Sequence, residues 1–403
     1  MREHGPEVAD VFRSCGAAYL EACGTSTSGS QRRVMRAISL CRTAALGGHK
    51  RGCDHCGHEE ISYNSCRDRH CPKCQAAARA HWLEAREKEL LDLPYFHVVF
   101  TLPETIGPVA LHNKQLVYGL LFRAVSETLI TIAKDPRHLG ADIGFLAVLH
   151  TWGQNLHHHP HIHCVIPAGG ISPQGTKWIS CRKSFFLPVR VLSRLFRNKF
   201  LGLLTAAYNS GKLGLHGKLE HLRTPESWSD WIVALKTTDW VVYAKPPFGG
   251  ARLVLKYLAR YTHRVAISNQ RLLSFEDERV TFQWRDYARG NCQRTMSLDA
   301  VEFIRRFLLH VLPRGFMHIR HYGFLANRVR KNKLALARKL LGVGEKPSTH
   351  TSVCKTPAQK PTDSGHGAHS ELCPACKEGR LILIETLDPL ALAGFDPMRF
   401  NTS

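Results

Sequence analysis

No stretch of this 403-residue sequence approaches the roughly 20 consecutive apolar residues that a membrane-crossing helix needs. Its first residues, MREHGPEVADVF, carry acids where an export signal would carry an apolar core. These two absences argue against a membrane or exported protein, and a cytoplasmic chain is expected. Acid is scarce as well: 33 Asp and Glu stand against 55 Lys and Arg, which leaves a formal charge of +22 beside 24 His. Such an imbalance says little about fold but points to a polyanionic partner. No internal repeat of useful length is present. What is there, 44% apolar, 22% charged and 9% aromatic residues, excludes a disordered or fibrous chain and suffices for two or three domains.

Periodicity and breakers divide the chain into three parts. Residues 1–92 read as a helical and zinc-binding module, residues 93–345 as a larger domain with a basic C-terminal part, and residues 346–403 as a flexible linker with a small Cys-x-x-Cys tail. Helix is expected to about residue 50, again over 75–91 (QAAARAHWLEAREKELL), and as one long helix or a pair over 108–134. Strands are expected at 95–102 (YFHVVFTL), 143–150 (IGFLAVLH), 161–168 (HIHCVIPA) and 240–244, with a helix at about 185–208. A hairpin follows, its arms 271–275 and 280–284 around Glu276, Asp277 and Glu278, and residues 252–264 have helical character. Strands interleaved with helices and hairpins indicate an α+β fold rather than a doubly wound one. The run KPSTHTSVCKTPAQKPTDSGHGAHSE reads as the linker.

Fourteen cysteines suit either disulfides or metal, and without an export signal metal is favoured. Cys53-x2-Cys56 and Cys71-x2-Cys74, fourteen residues apart, have the spacing of a zinc ribbon in which two tight turns each give two thiolates to one Zn²⁺. Cys66 and His70 compete for places in that tetrad. Cys373 and Cys376 supply half of another site, whose missing ligands could be His366 and His369, Cys354, or residues of a second chain.

The string HHHPHIH at 157–163 is the most unusual in the sequence. Residues two apart on a strand share a face, so His161 and His163 point together while Ile162 turns into the core. Two imidazoles can hold a divalent cation if an oxygen or amide completes the site, and Gln154 is a third ligand to consider. His157 and His158 are expected in the preceding loop. Metallo-hydrolases also use such pairs but follow them with an acid. Here Cys164, Val165, Ile166 and Pro167 follow, so a zinc hydrolase is disfavoured.

Tyr257 and Tyr261 fall at i and i+4 of an expected helix, one turn apart on one face, with Arg260 and Arg264 beside them. A phenol, with an ordinary pKa near 10, is a poor nucleophile unless a cation favours its anion and a metal polarises its target. Alone, such a pair is ordinary packing. Combined with a His-x-His site and a basic chain, it supplies the parts of DNA strand transfer: the metal on the scissile phosphate, tyrosine attacking phosphorus, and a 5′-phosphotyrosine with a free 3′-hydroxyl as products.

The chain resembles the rolling-circle transposases of the insertion sequence 91 family, two-tyrosine members of the nucleases named for a His-hydrophobic-His motif. The resemblance rests on CDHCGHEEISYNSCRDRHCPKCQ (53–75), HVVFTLP (97–103), WGQNLHHHPHIHCVIPAGG (152–170), YAKPPFGG (243–250), YLARYTHRVAIS (257–268) and FIRRFLLHVLPRGFMHIRHYGFLANR (303–328), and runs from about residue 50 to 345. It implies an antiparallel sheet as catalytic palm, His161 and His163 as ligands of Mg²⁺ or Mn²⁺, Tyr257 and Tyr261 as nucleophiles, and a separate Zn²⁺ in the N-terminal module. Single-tyrosine relatives exist, so the two tyrosines need not be equally essential. The partners implied are single-stranded DNA at transposon ends and target DNA, which places the protein at the nucleoid.

Between Glu302 and Glu345 there are ten Lys or Arg and no acid, with Phe316, Tyr322 and Phe324 interspersed. Cations with aromatic platforms suit single-stranded DNA. Arg320, Arg328, Arg330 and Lys331 are expected there to contact phosphate, together with Arg260 and Arg264. Two other readings share these features. A plasmid replication initiator or relaxase would use the same chemistry on another substrate, and a zinc-ribbon DNA-binding protein would have its tyrosines merely packed.

Overall fold

The string β-branched at 95–101 and the two apolar strings flanking the histidines form the middle of a five-stranded sheet. The computed structural model describes residues 5–182, 186–248, 266–286, 290, 292–342 and 372–390. Its strands are β1 (Gly48–Cys53), β2 (Glu59–Tyr63), β3 (Tyr95–Thr101), β4 (Gly144–Trp152), β5 (His158–Pro167), β6 (Gly169–Ile171), β7 (Trp178–Ser180), β8 (Val242–Phe248), β9 (Leu272–Glu276), β10 (Arg279–Asp286), β11 (Cys292–Asp299), β12 (Ile319–Gly323) and β13 (Leu381–Leu387). Its α-helices are α1 (Val8–Cys23), α2 (Gly29–Leu40), α3 (Pro72–Glu87), α4 (Gly107–His112), α5 (Lys114–Lys134), α6 (Val189–Asn209), α7 (Pro225–Thr237), α8 (Ala300–Leu309) and α9 (Arg330–Leu340). The fold is α+β, as expected.

Two compact units divide the chain, one of residues 1–39 and 68–342, the other of 40–67 with the C-terminal segment. In the first unit the central sheet has the order β12-β4-β5-β3-β8, every neighbouring pair antiparallel. Alternation gives the sheet two unlike faces. One face presents Val98 and Phe100 of β3, Phe145, Ala147 and Leu149 of β4, and Ile162, Cys164 and Ile166 of β5, all buried with the apolar stripes of α5 (Val117, Leu121, Phe122, Val125, Leu129) and α6 (Leu192, Phe196, Phe200, Leu204). By length and composition alone α5 could cross a membrane. Its burial in this core accounts for its apolarity instead.

On the other face an apolar cluster of Tyr95, Leu146, Val148 and Val165 is packed by Trp82, Leu90, Leu93 and Ile319. Beyond that cluster, towards Trp152 and Thr101, the same face carries histidines. The rest of the unit supports this sheet. α1, opened by a reciprocal cap of Glu7 and Asp10, packs on α8 through an edge-to-face contact of Phe12 and Phe307 at 5.3 Å. The expected hairpin is present as β9 and β10, joined by Asp277 and Glu278, both at positive φ, as a two-residue turn between twisted strands requires. The region 108–134 is the helix pair α4 and α5.

Three local expectations shift. Residues 48–50, read as the end of a helix, begin β1. His158, read as loop, begins β5. The half-buried edge strand β12, with its polar sequence IRHYG, had no strand signal at all. In the second unit β1 is the middle of a three-stranded antiparallel sheet, with β2 on one side and the C-terminal β13 on the other.

Candidate metal centre

The histidine string alternates as a strand must. His158 turns to the α5 side, where its Nε2 is hydrogen-bonded to the Tyr118 hydroxyl at 2.8 Å, while His161 and His163 share the opposite face and Ile162 between them is fully buried. Antiparallel register then adds a third ring. His150 of β4 pairs directly with His161, so its side chain emerges on the same face. One nitrogen from each of His150, His161 and His163 lies within 4.8 Å of the others. His150 stacks on Trp152, centroids 4.6 Å apart and 19° between planes, which holds its ring in place.

The rings are further oriented by hydrogen bonds. A ring nitrogen facing a carbonyl must carry the proton, so Nδ1–H of His161 donates to the His159 carbonyl at 2.6 Å and leaves the Nε2 lone pair available. Nδ1 of His163 lies 2.8 Å from Nε2 of His97 on β3, and the rings stack at 5.0 Å. The tautomer of His163 that offers Nε2 as a ligand donates from Nδ1 to His97. Burial pushes His161 down to about 4, and burial with nearby Lys245 pushes His97 down to about 3. At neutral pH these imidazoles are uncharged, the form in which imidazole binds metal.

His150 was not anticipated. Gln154, the ligand considered from sequence, sits half-buried in the turn after β4, where its carbonyl accepts a hydrogen bond from the Arg271 guanidinium at 2.5 Å. The signal for His150 was its place in IGFLAVLH: on a strand paired with the histidine strand, it falls opposite His161. His97 was likewise visible only as the opening of HVVFTLP.

The cysteines also depart from the expected tetrad. Cys53 and Cys56 are grouped with Cys373 and Cys376 rather than with Cys71 and Cys74, the four sulfurs lying within 4.8 Å of one another. The linear spacing concealed this because the partners of Cys53 and Cys56 come from the far end of the sequence, beside β13. His70 is no thiol's companion: its Nδ1 is 2.9 Å from Asp68, and its Nε2 accepts from the Leu312 amide at 3.2 Å. His366, His369 and Cys354 lie outside the described residues.

Of the cations expected on DNA, Arg328 and Lys331 are exposed. Arg320 instead lies over the rings of Phe122 at 4.2 Å and Phe316 at 5.2 Å, and Arg330 pairs with Glu89 at 3.3 Å. Glu302, at the edge of the acid-free stretch, pairs with both Arg305 and Arg306. Tyr257, Tyr261, Arg260 and Arg264 lie outside the described residues.

An antiparallel sheet with three grouped imidazoles on one face, and clustered thiols elsewhere, defines an α+β protein with a zinc-binding class of cysteine cluster. Comparison with known proteins gives the family. Residues 11–102 match the family model "Transposase zinc-binding domain" and residues 144–333 the model "Putative transposase". The chain is 58% identical over 388 residues to "Putative transposase y4qJ" of Sinorhizobium fredii (strain NBRC 101917 / NGR234), covering 96% of this chain and 97% of that one. It is 31% identical over 296 residues to "Transposase for insertion sequence element IS801" of Pseudomonas savastanoi pv. phaseolicola, covering 72% and 68%. No solved structure matches. The chain belongs to the transposases of the insertion sequence 91 family and carries their N-terminal zinc-binding domain.

Proposed function

We propose that this transposase nicks and joins single-stranded DNA ends in rolling-circle transposition through 5′-phosphotyrosine intermediates, with Tyr257 and Tyr261 as nucleophiles. The observation that supports the reading is the group of three imidazoles on one face of the central sheet, which would be the catalytic palm. A divalent ion held by His150, His161 and His163 would polarise the scissile phosphate. The donor set fits such an ion, and three nitrogens favour Mn²⁺ over Mg²⁺, which prefers oxygen.

The protein's own groups do the rest. A tyrosine Oη attacks phosphorus and gives up its proton, the P–O3′ bond breaks, and the departing oxygen takes up a proton as a 3′-hydroxyl. The phosphodiester is conserved as a phosphotyrosine, so no ATP is needed to reverse the step when another 3′-hydroxyl attacks. Two nucleophiles, four residues apart in the sequence, would let one hold a cleaved 5′ end while the other attacks a second strand. His97 is a positioning residue, keeping His163 in the ligating tautomer. Arg328 and Lys331 would contact the DNA backbone, as Arg260 and Arg264 would beside the tyrosines. Zn²⁺ in the N-terminal domain is structural.

The test is to trap the adduct on oligonucleotides labelled at either end. Mass spectrometry should find the downstream, 5′-phosphorylated fragment on the peptide carrying Tyr257 or Tyr261, and Tyr257→Phe with Tyr261→Phe should bind DNA without forming it. An adduct on another residue, or one surviving in the double variant, overturns the mechanism. Cleavage of transposon-end rather than plasmid-origin DNA distinguishes transposition from replication initiation.

A further inference from the structure

The zinc-binding family model stops at residue 102, yet two thiols grouped with Cys53 and Cys56 come from the far end of the chain. We propose that Cys53, Cys56, Cys373 and Cys376 bind one structural Zn²⁺ that clasps the C-terminal segment to the N-terminal hairpin of β1 and β2, as a site separate from the one formed by Cys71 and Cys74. This inference does not depend on the nicking chemistry.

The geometry is that of two facing knuckles. Cys53 Sγ lies 3.7 Å from Cys376 Sγ, and Cys56 Sγ lies 3.7 Å from Cys373 Sγ. These separations are far too long for a disulfide, whose sulfurs lie about 2.05 Å apart. They match the edge of about 3.8 Å that a tetrahedron with Zn–S near 2.3 Å requires. The two turns repeat each other's hydrogen bonds. Gly57 N–H donates to the Cys53 carbonyl at 3.3 Å and Lys377 N–H to the Cys373 carbonyl at 2.9 Å, and both donors have positive φ, +71° and +60°. Amides point at sulfur in both: Cys56 N–H at Cys53 Sγ, 3.5 Å, and Gly379 N–H at Cys376 Sγ, 3.3 Å. Such donors stabilise thiolate.

The turns also fit each other. A Cβ on Gly379 would lie 2.5 Å from Cys53 Sγ and 2.6 Å from His55 Cβ, so glycine permits the approach of the two turns. Asp54 accepts from the Arg380 amide at 2.7 Å, and β13 continues directly into register with β1, Cys53 opposite Leu381. Cys373 is buried with Leu381 and Cys53. The site is closed by four sulfurs and leaves no position for water or substrate, which makes it structural.

Zinc content of the full chain, measured by elemental mass spectrometry on metal-saturated, desalted protein, tests the clasp. Relative to the wild type, Cys373→Ser with Cys376→Ser should lose one equivalent, Cys53→Ser with Cys56→Ser one, and the fourfold variant only one, because both pairs serve the same ion. An unchanged zinc content in the first double variant, or the loss of two equivalents in the fourfold variant, overturns the proposal. Alkylation of the unmutated, zinc-loaded protein guards against misfolded variants. Cys373 and Cys376 should resist iodoacetamide together with Cys53 and Cys56 until a chelator is added, and their free reaction while the zinc is retained overturns it as well.

Discussion

The histidine face of the central sheet and the cysteine clasp of the smaller sheet hold ligands in opposite ways. Strands present the imidazoles, so register sets their spacing, and the second nitrogens of His161 and His163 are spent on neighbours. Turns present the thiols, and their spacing is set by amide hydrogen bonds within each knuckle. A strand-borne group of three leaves room for a fourth, exchangeable ligand, as a site that handles substrate needs. A turn-borne group of four closes on its metal and can only hold the chain together. Donor count and scaffold type, more than donor identity, set apart a group suited to an exchangeable ligand from one suited only to structure.

The contrast can be broken most severely at the ligands. His161→Ala with His163→Ala should abolish divalent-dependent nicking of single-stranded DNA while zinc content and DNA binding remain, since phosphate contacts elsewhere provide affinity. Undiminished nicking in a gel assay would leave the sheet face without a role. A smaller effect is expected one step out. His97→Ala should lower the Mn²⁺ affinity of the centre by about 10–100-fold, as loss of a partner behind a metal-bound histidine does. Titration should show the activating Mn²⁺ concentration rising, whereas Gln154→Ala should leave it nearly unchanged.

Protons sharpen the comparison next. His310 is buried, with Nδ1 3.2 Å from the Thr151 hydroxyl and Nε2–H donating to the Leu156 carbonyl at 3.1 Å, and burial pushes it down to about 3. The unfolded chain then binds the proton more readily than the folded one between the ordinary histidine value of about 6.5 and about 3. Stability is therefore complete above 6.5 and falls with pH through that window, by about 2 kcal/mol at pH 5 for this group. Urea midpoints at pH 7 and pH 5 should show the loss, and His310→Gln should reduce the pH dependence. The smallest effects belong to surface cations. Lys331→Ala should lower the salt dependence of DNA binding by about one phosphate contact, and Arg320→Ala, removing a guanidinium stacked on Phe122, should affect stability more than that slope.

Local periodicity made two of the three grouped imidazoles legible. His161 and His163 are two apart on a strand, and no tertiary knowledge is needed to put them on one face. His150 required knowing which strand lies beside β5 and in which register, and neither is written in IGFLAVLH. The Asp277–Glu278 turn was legible because two short arms fix it. β12 was not, because an edge strand half-open to solvent needs no apolar alternation. Cysteine spacing pointed to zinc but paired the two Cys-x-x-Cys turns with each other, whereas Cys53 and Cys56 are grouped with Cys373 and Cys376, since such a turn specifies its own two thiols and nothing about where the other two come from.

The pairing of β1 with β13 also has a consequence for how this protein comes into being. Residues 48–53 leave the ribosome more than 300 residues before their partner strand 381–387. At about 5–20 residues per second, that delay is tens of seconds. Through that interval one edge of β1 waits unpaired, with two of its thiols lacking their companions. The smaller sheet is therefore finished only in a polypeptide translated through to its last strand, and a message cut short yields a protein whose first sheet was never closed.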